Sequence, residues 1–226
     1  MKMRFKVFTI AVALTVTTAP IAQAIEMPAL SDAAAVSANS NIQQVAATSG
    51  TAAQGMIENL GKTAMDAIAD TSMSADKKKA LFRQILSQNF DMATIGKFAA
   101  GRYWRQATPA QQAEYQSLYE KMVINVYTHR FNNYSGQTFS VTGNRVDESG
   151  DAVVSSVVKG NSAPVSVDWR VRNKGAGPRV IDVMVEGVSM AVTQRNDFAS
   201  VVEQGGGTFQ ALIDYLKKGG TSDVQK

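Results

Sequence analysis

The sequence predicts an α+β fold: helices packed on one face of a twisted, mainly antiparallel sheet of about four strands. Three observations predict it. Apolar residues recur every three or four positions between about Thr51 and Tyr134, every second position between Phe139 and Val188, and every three or four again up to Leu216. The changes of period fall at Ser135-Gly136 and near Met190, where turn-prone or capping residues stand. Helices and strands therefore come in separate blocks, the pattern of helices gathered on one side of an antiparallel sheet.

The chain opens with Lys2, Arg4 and Lys6, then the uncharged run VFTIAVALTV, then Ala22-Gln23-Ala24 as a small-x-small cleavage site. This is the pattern of a secretory signal peptide over residues 1–24, so export with cleavage after Ala24 is expected. The apolar run is shorter than the roughly 20 residues a membrane-spanning helix needs. Residues 25–49 are rich in Ala, Ser, Asn and Gln without a clear apolar period, and are read as a flexible leader. One domain is expected over residues 50–218, followed by a disordered tail at 219–226.

Within the domain, Met56, Leu60, Met65 and Ile68 mark a first helix, interrupted by Gly55 and Gly61. Ser74 stands as an N-cap before DKKKALFRQILSQNF, a second helix, and a short third runs around Met92 to Phe98. Thr108, Pro109 and Gln111 combine a hydroxyl cap, a proline at the first helical position and a capping-box amide. The long helix they start carries Tyr115, Leu118, Tyr119, Met122, Val126 and Tyr127 on one wide aromatic stripe and continues through Phe131 to Tyr134.

Phe139 and Val141 open the first strand, and Val153 to Val158 form a second beyond the turn Asp147-Glu148-Ser149-Gly150. The third alternates most clearly: Val165, Val167, Trp169 and Val171 point one way, Ser166, Asp168, Arg170 and Arg172 the other. In the fourth, Val180 to Val188, Ile181, Val183 and Val185 stand opposite Asp182, Met184 and Glu186. Phe198, Val201 and Val202, then Phe209, Leu212, Ile213 and Leu216, mark two short closing helices separated by Gly205-Gly206-Gly207.

Composition excludes several chemistries. The pI of 9.3 suggests nucleic acid, but the leader holds three of the 23 Lys and Arg and none of the 19 Asp and Glu. That leaves 20 basic against 19 acidic residues. The longest basic run, Lys77-Lys78-Lys79, reads as a solvated helix face, so no nucleic-acid partner is expected. The absence of Cys removes thiol catalysis, disulfides and thiolate-bound metals. The single histidine, His129, leaves almost no material for His-based metal or nucleophile pairs. No catalytic residue, metal or cofactor is expected. Gly205-Gly206-Gly207 lacks the Lys and Ser or Thr of a phosphate loop and is read as a helix break. Arg102 and Arg105 around Tyr103 and Trp104 suit a phosphate headgroup, but packing and a solvated rim suit them better.

The apolar supply stands out: one stripe of the aromatic helix and one face of the sheet. If the two splay apart, they bound a cavity that takes acyl chains at about 0.8 kcal/mol per buried methylene. If they close, they make a dry core, which the pattern alone favours.

Three stretches shift that balance: NFDMATIGKFAAGRYWRQATPAQQAEY (Asn89 to Tyr115), YSGQTFSVTG (Tyr134 to Gly143), and VDWRVRN with VIDVMVEGVSMAVTQRNDF (Val167 to Asn173, Val180 to Phe198). In order and spacing the sequence resembles the MlaC or toluene-tolerance family of periplasmic phospholipid-shuttle proteins, from about Gly50 to Lys218. The resemblance implies an α+β carrier with an apolar cavity between helices and sheet, holding the acyl chains of a phospholipid cargo and leaving its headgroup in water. It implies two partners: an outer-membrane lipoprotein–porin complex and an inner-membrane ABC transporter with an MCE subunit. Lipid passed between them would maintain outer-membrane lipid asymmetry. By the same resemblance Tyr103, Trp104, Tyr127, Phe139, Val141, Val167, Trp169, Val183, Val185 and Val188 are candidates for the tail pocket, against plain packing. Asp182, Glu186 and Ser189 are expected to order strand and turn through hydrogen bonds. A related branch of the family, found with hopanoid biosynthesis, offers a hopanoid as the alternative cargo. A periplasmic interaction domain with a closed core is the alternative of a different class, and a hydrolase has least support.

Overall fold

The computed structural model describes residues 32–130, 136–161, 163–173, 175 and 177–220. The signal-peptide reading, the first residues of the leader, the extension of the long helix through Phe131 to Tyr134 and most of the expected tail lie outside them.

Among the described residues there are six α-helices and one five-stranded sheet. The order is α1 (Asp32–Ala69), α2 (Ala75–Asn89), α3 (Met92–Ala100), a 3-10 turn (Gly101–Gln106), α4 (Pro109–Arg130), β1 (Thr138–Val146), β2 (Ala152–Lys159), β3 (Val165–Asn173), β4 (Pro178–Val185), β5 (Val188–Ser189), α5 (Met190–Gln204) and α6 (Phe209–Lys217). The strands lie in chain order and every pair is antiparallel. This is the expected α+β architecture, with one strand more than the sequence suggested.

The local start signals work as read. Ser74 Oγ accepts from the backbone N–H of Lys77 at 3.3 Å. Thr108 Oγ1 accepts from Gln111 N at 3.3 Å while Gln111 Oε1 accepts from Thr108 N at 3.0 Å, the reciprocal pair of a capping box. The glycine run breaks the helix between α5 and α6, with Gly206 and Gly207 both at positive φ.

Two boundaries differ from the sequence reading. α1 begins at Asp32, inside the stretch read as a flexible leader. Alanine is the best helix former, so an Ala-rich stretch takes up helix without an apolar stripe to announce it. At the other end Gly219 and Gly220 close α6: their N–H groups reach Leu216 O and Tyr215 O, and the Tyr215 hydroxyl donates to Gly220 O at 2.7 Å.

The fourth predicted strand is two strands and a bulge. Glu186 and Gly187 both have positive φ and form a two-residue turn between β4 and β5. Arg170 pairs with Asp182 and Val171 with Val180, so Ile181 is an extra residue on β4, and Val180 shares a face with Val183 and Val185 in its place.

Charged side chains occupy the outer face. Arg172 forks onto Asp151 with two 2.6 Å bonds, and Arg170 reaches Asp147 at 2.6 Å. The hydrogen bonds from Arg172 hold the Asp151 carboxyl below the usual carboxylate range, although burial opposes this. A carboxylate with a depressed pKa stabilises the fold above its unfolded value near pH 4, and that stability is lost as pH falls through the folded value. Asp151→Asn is therefore expected to cost about 1–2 kcal/mol at pH 7, part of the pair being open to water. The deficit, read from urea midpoints, shrinks below about pH 4.

The apolar residues fall into two clusters. One is helical: Ala99, Ala100, Tyr103, Tyr115, Tyr119, Phe198, Leu212, Ile213 and neighbours from α3 to α6. The other joins α1 to the inner face of the sheet through Ala53, Ile57, Ala152, Val154, Val171 and Val180.

Candidate functional site

Strand register places Phe139, Val141, Val158, Ser156, Val154, Ala152, Val165, Val167, Trp169, Val171, Val180, Val183 and Val185 on one face. At one end of that face Ala152, Val154, Val171 and Val180 are sealed beneath Ala53 and Ile57 of α1. Toward the other end Phe139, Val158, Val165 and Val185 are only half-buried. Val188, paired with Val185, is 54% exposed.

The gradient arises because the helices do not cover the sheet evenly. α1 packs across β1 to β4, whereas the long aromatic helix α4 packs on α2, α3 and α6. The near end of the face is closed by α1. The far end keeps apolar side chains partly exposed beside the helices.

Gly61 sets how closely α1 approaches. A Cβ at this position would overlap the Phe139 ring, so glycine lets the ring lie against the helix backbone. Phe139 in turn meets Trp169 edge to face, with centroids 6.2 Å apart at 77°. The Trp169 Nε1 donates to Ser156 Oγ at 2.9 Å, and Ser156 Oγ donates to Val167 O at 2.9 Å.

Of the ten residues proposed from the sequence, Phe139, Val141, Val167, Trp169, Val183, Val185 and Val188 come together on this face. Tyr127 sits on α4, 37% exposed, with its ring 6.3 Å from Phe82 of α2. Tyr103 and Trp104 are not brought to the sheet. Tyr103 is buried in the helical cluster, its hydroxyl accepting from Arg102 at 2.7 Å, and Arg102 also pairs with Glu203 at 2.7 Å. Trp104 packs on Tyr115 and lines a separate surface pocket of about 430 Å³ between α3 and α4 with Lys97, Pro109 and Gln112. These two aromatics lie in the segment that α4 and α6 cover, so packing claims them first.

Sequence reasoning missed Ser156 and Gly61. Ser156 carries a signal in hindsight, because period 2 from Val154 to Val158 sets one hydroxyl on an apolar face. Gly61 lies on the apolar stripe of α1, where a missing side chain signals close approach rather than a break.

The polar trio behaves as expected. Asp182 accepts from Ser189 Oγ at 2.5 Å and from Ala191 N at 3.1 Å, Ser189 caps α5 through Val192 N at 3.0 Å, and Glu186 accepts from Ser166 N. Together they fasten α5 and the β4–β5 turn to the sheet. Among the described residues no group of three or more His, Asp or Glu is placed to hold a metal, and no helix is long and apolar enough to cross a membrane.

Comparison with known proteins supports this fold. A solved structure of the phospholipid-binding protein from Ralstonia solanacearum, in complex with a phospholipid, matches with a TM-score of 0.64 and 27% identity, covering 74% of this chain and 96% of that one. The toluene tolerance protein ttg2D of Pseudomonas putida is 27% identical over 114 residues, 50% of this chain, and the chain spans 53% of that relative's length. The family described as MlaC protein matches residues 58–218, which hold the helical cluster and the whole sheet, and the chain belongs to that family.

Proposed function

We propose that this protein is a non-catalytic periplasmic carrier that binds a phospholipid by its acyl chains. On this reading it shuttles the lipid between an outer-membrane lipoprotein–porin complex and an inner-membrane ABC transporter with an MCE subunit, and so maintains outer-membrane lipid asymmetry. The observation that carries it is the uneven cover of the sheet: an apolar face sealed at one end and left half-open at the other. Closing a pair of tails over that surface removes methylenes from water at about 0.8 kcal/mol each, enough to retain a lipid while its headgroup stays hydrated. The bound phospholipid is cargo, with no resident cofactor. Family membership and the phospholipid-bound relative from Ralstonia solanacearum support the choice of ligand.

Native mass spectrometry of protein purified without detergent, followed by extraction of whatever is bound, tests this. A stoichiometric adduct of phospholipid mass is expected. A hopanoid mass changes the cargo, and a bare protein that also takes no lipid from vesicles overturns the carrier reading in favour of an interaction domain.

A further inference from the structure

Trp169 stands where two kinds of surface meet on one sheet face. Level with it or behind it Val154, Ala152, Val171 and Val180 are sealed; in front of it Ser156 and Val167 are buried at the floor, and Phe139, Val158 and Val165 beyond them are half-buried. Trp169 is itself half-buried and packs against the sealed cluster.

More than packing fixes the ring. Ser156 is 1% exposed, and a buried hydroxyl persists in apolar surroundings only when it is hydrogen-bonded. Both of its capacities are used: it accepts from the indole Nε1 and donates to Val167 O, each at 2.9 Å. The tether runs from β3 to β2, and the Phe139 ring of β1, seated against Gly61, meets the indole edge to face. An aliphatic residue at this position would yield by changing rotamer. A tethered indole yields only by giving up its Nε1–H bond to the buried Ser156 hydroxyl.

We infer that Trp169, positioned by Ser156, is the end wall of the tail site and sets the longest acyl chain the protein accepts. This rests on the carrier reading above. A chain gains about fourfold in affinity with each methylene it buries until its end meets the indole, and the next methylene must displace the ring. Wild-type protein therefore has a length cut-off, and shortening the wall moves it.

The test is competitive loading of the full mature protein from vesicles holding equal amounts of dimyristoyl and distearoyl phosphatidylglycerol, read as the mass ratio of the two complexes. Trp169→Leu is expected to raise the stearoyl-to-myristoyl ratio about tenfold or more, because at least two further methylenes are accommodated. Ser156→Ala, which frees the ring without removing it, raises the ratio less. Val180→Ala, beyond the wall and also destabilising, leaves it at the wild-type value. Stoichiometric loading with an unchanged ratio in both Trp169→Leu and Ser156→Ala overturns the end-wall assignment and leaves the carrier reading standing. Failure of wild-type protein to load either lipid overturns both.

Discussion

Val185→Trp is expected to empty the protein: the lipid-bound fraction in native mass spectra falls at least tenfold against wild type, while the melting temperature drops by only about 2–4 °C. The position decides the outcome. Val185 pairs with Val167 on the inner face but is half-buried, so a larger side chain extends into open space instead of into its neighbours. An indole there takes the place of several methylenes, and displacing only two of them, at about 0.8 kcal/mol each, lowers affinity more than tenfold. Val167, 8% exposed, offers no such space. Val167→Trp is an overpacking change that costs stability by about 1–3 kcal/mol and confuses loss of lipid with loss of fold. A Val185→Trp protein that still carries a full complement of lipid would place the tails away from this end of the sheet.

What the sequence reveals and what it conceals follow from how far each signal reaches along the chain. The Thr108–Gln111 box and the Ser74 cap involve residues three apart, and both form as written. The alternation in β3 is equally local, because its apolar and charged residues face different surroundings whatever lies beside them. The bulge at Ile181 is not local: only the opposing β3 fixes which residue of β4 is surplus, and the surplus moves Val180 to the inner face. The same limit explains Tyr103 and Trp104. Two adjacent aromatics beside two arginines have the composition of a ligand site, but the α4 and α6 side chains that enclose them arrive from later in the chain. Ser156 becomes meaningful only once Trp169, 13 residues away, is known to lie over it.

The division into two clusters also predicts where stability resides. Tyr115 is fully buried at the centre of the helical cluster, with the rings of Trp104, Tyr119, Phe198 and Phe209 between 5.4 and 6.2 Å from its own. Its hydroxyl donates to Gly96 O at 2.8 Å, and burial holds the phenol above its ordinary pKa, so the bond persists across the neutral range. Tyr115→Ala removes the shared partner of four rings and opens a cavity that α3 and α6 cannot collapse to fill. It is expected to cost about 3–5 kcal/mol in urea unfolding, a large part of a typical domain's stability. Tyr115→Phe keeps the rings packed and forfeits one hydrogen bond, about 1 kcal/mol. Because the open apolar face belongs to the other cluster, Tyr115→Phe is expected to bind lipid as wild type does, which separates loss of fold from loss of cargo. A Tyr115→Ala cost below about 1 kcal/mol would mean that the helical cluster readily repacks around the missing ring, against its dense aromatic geometry.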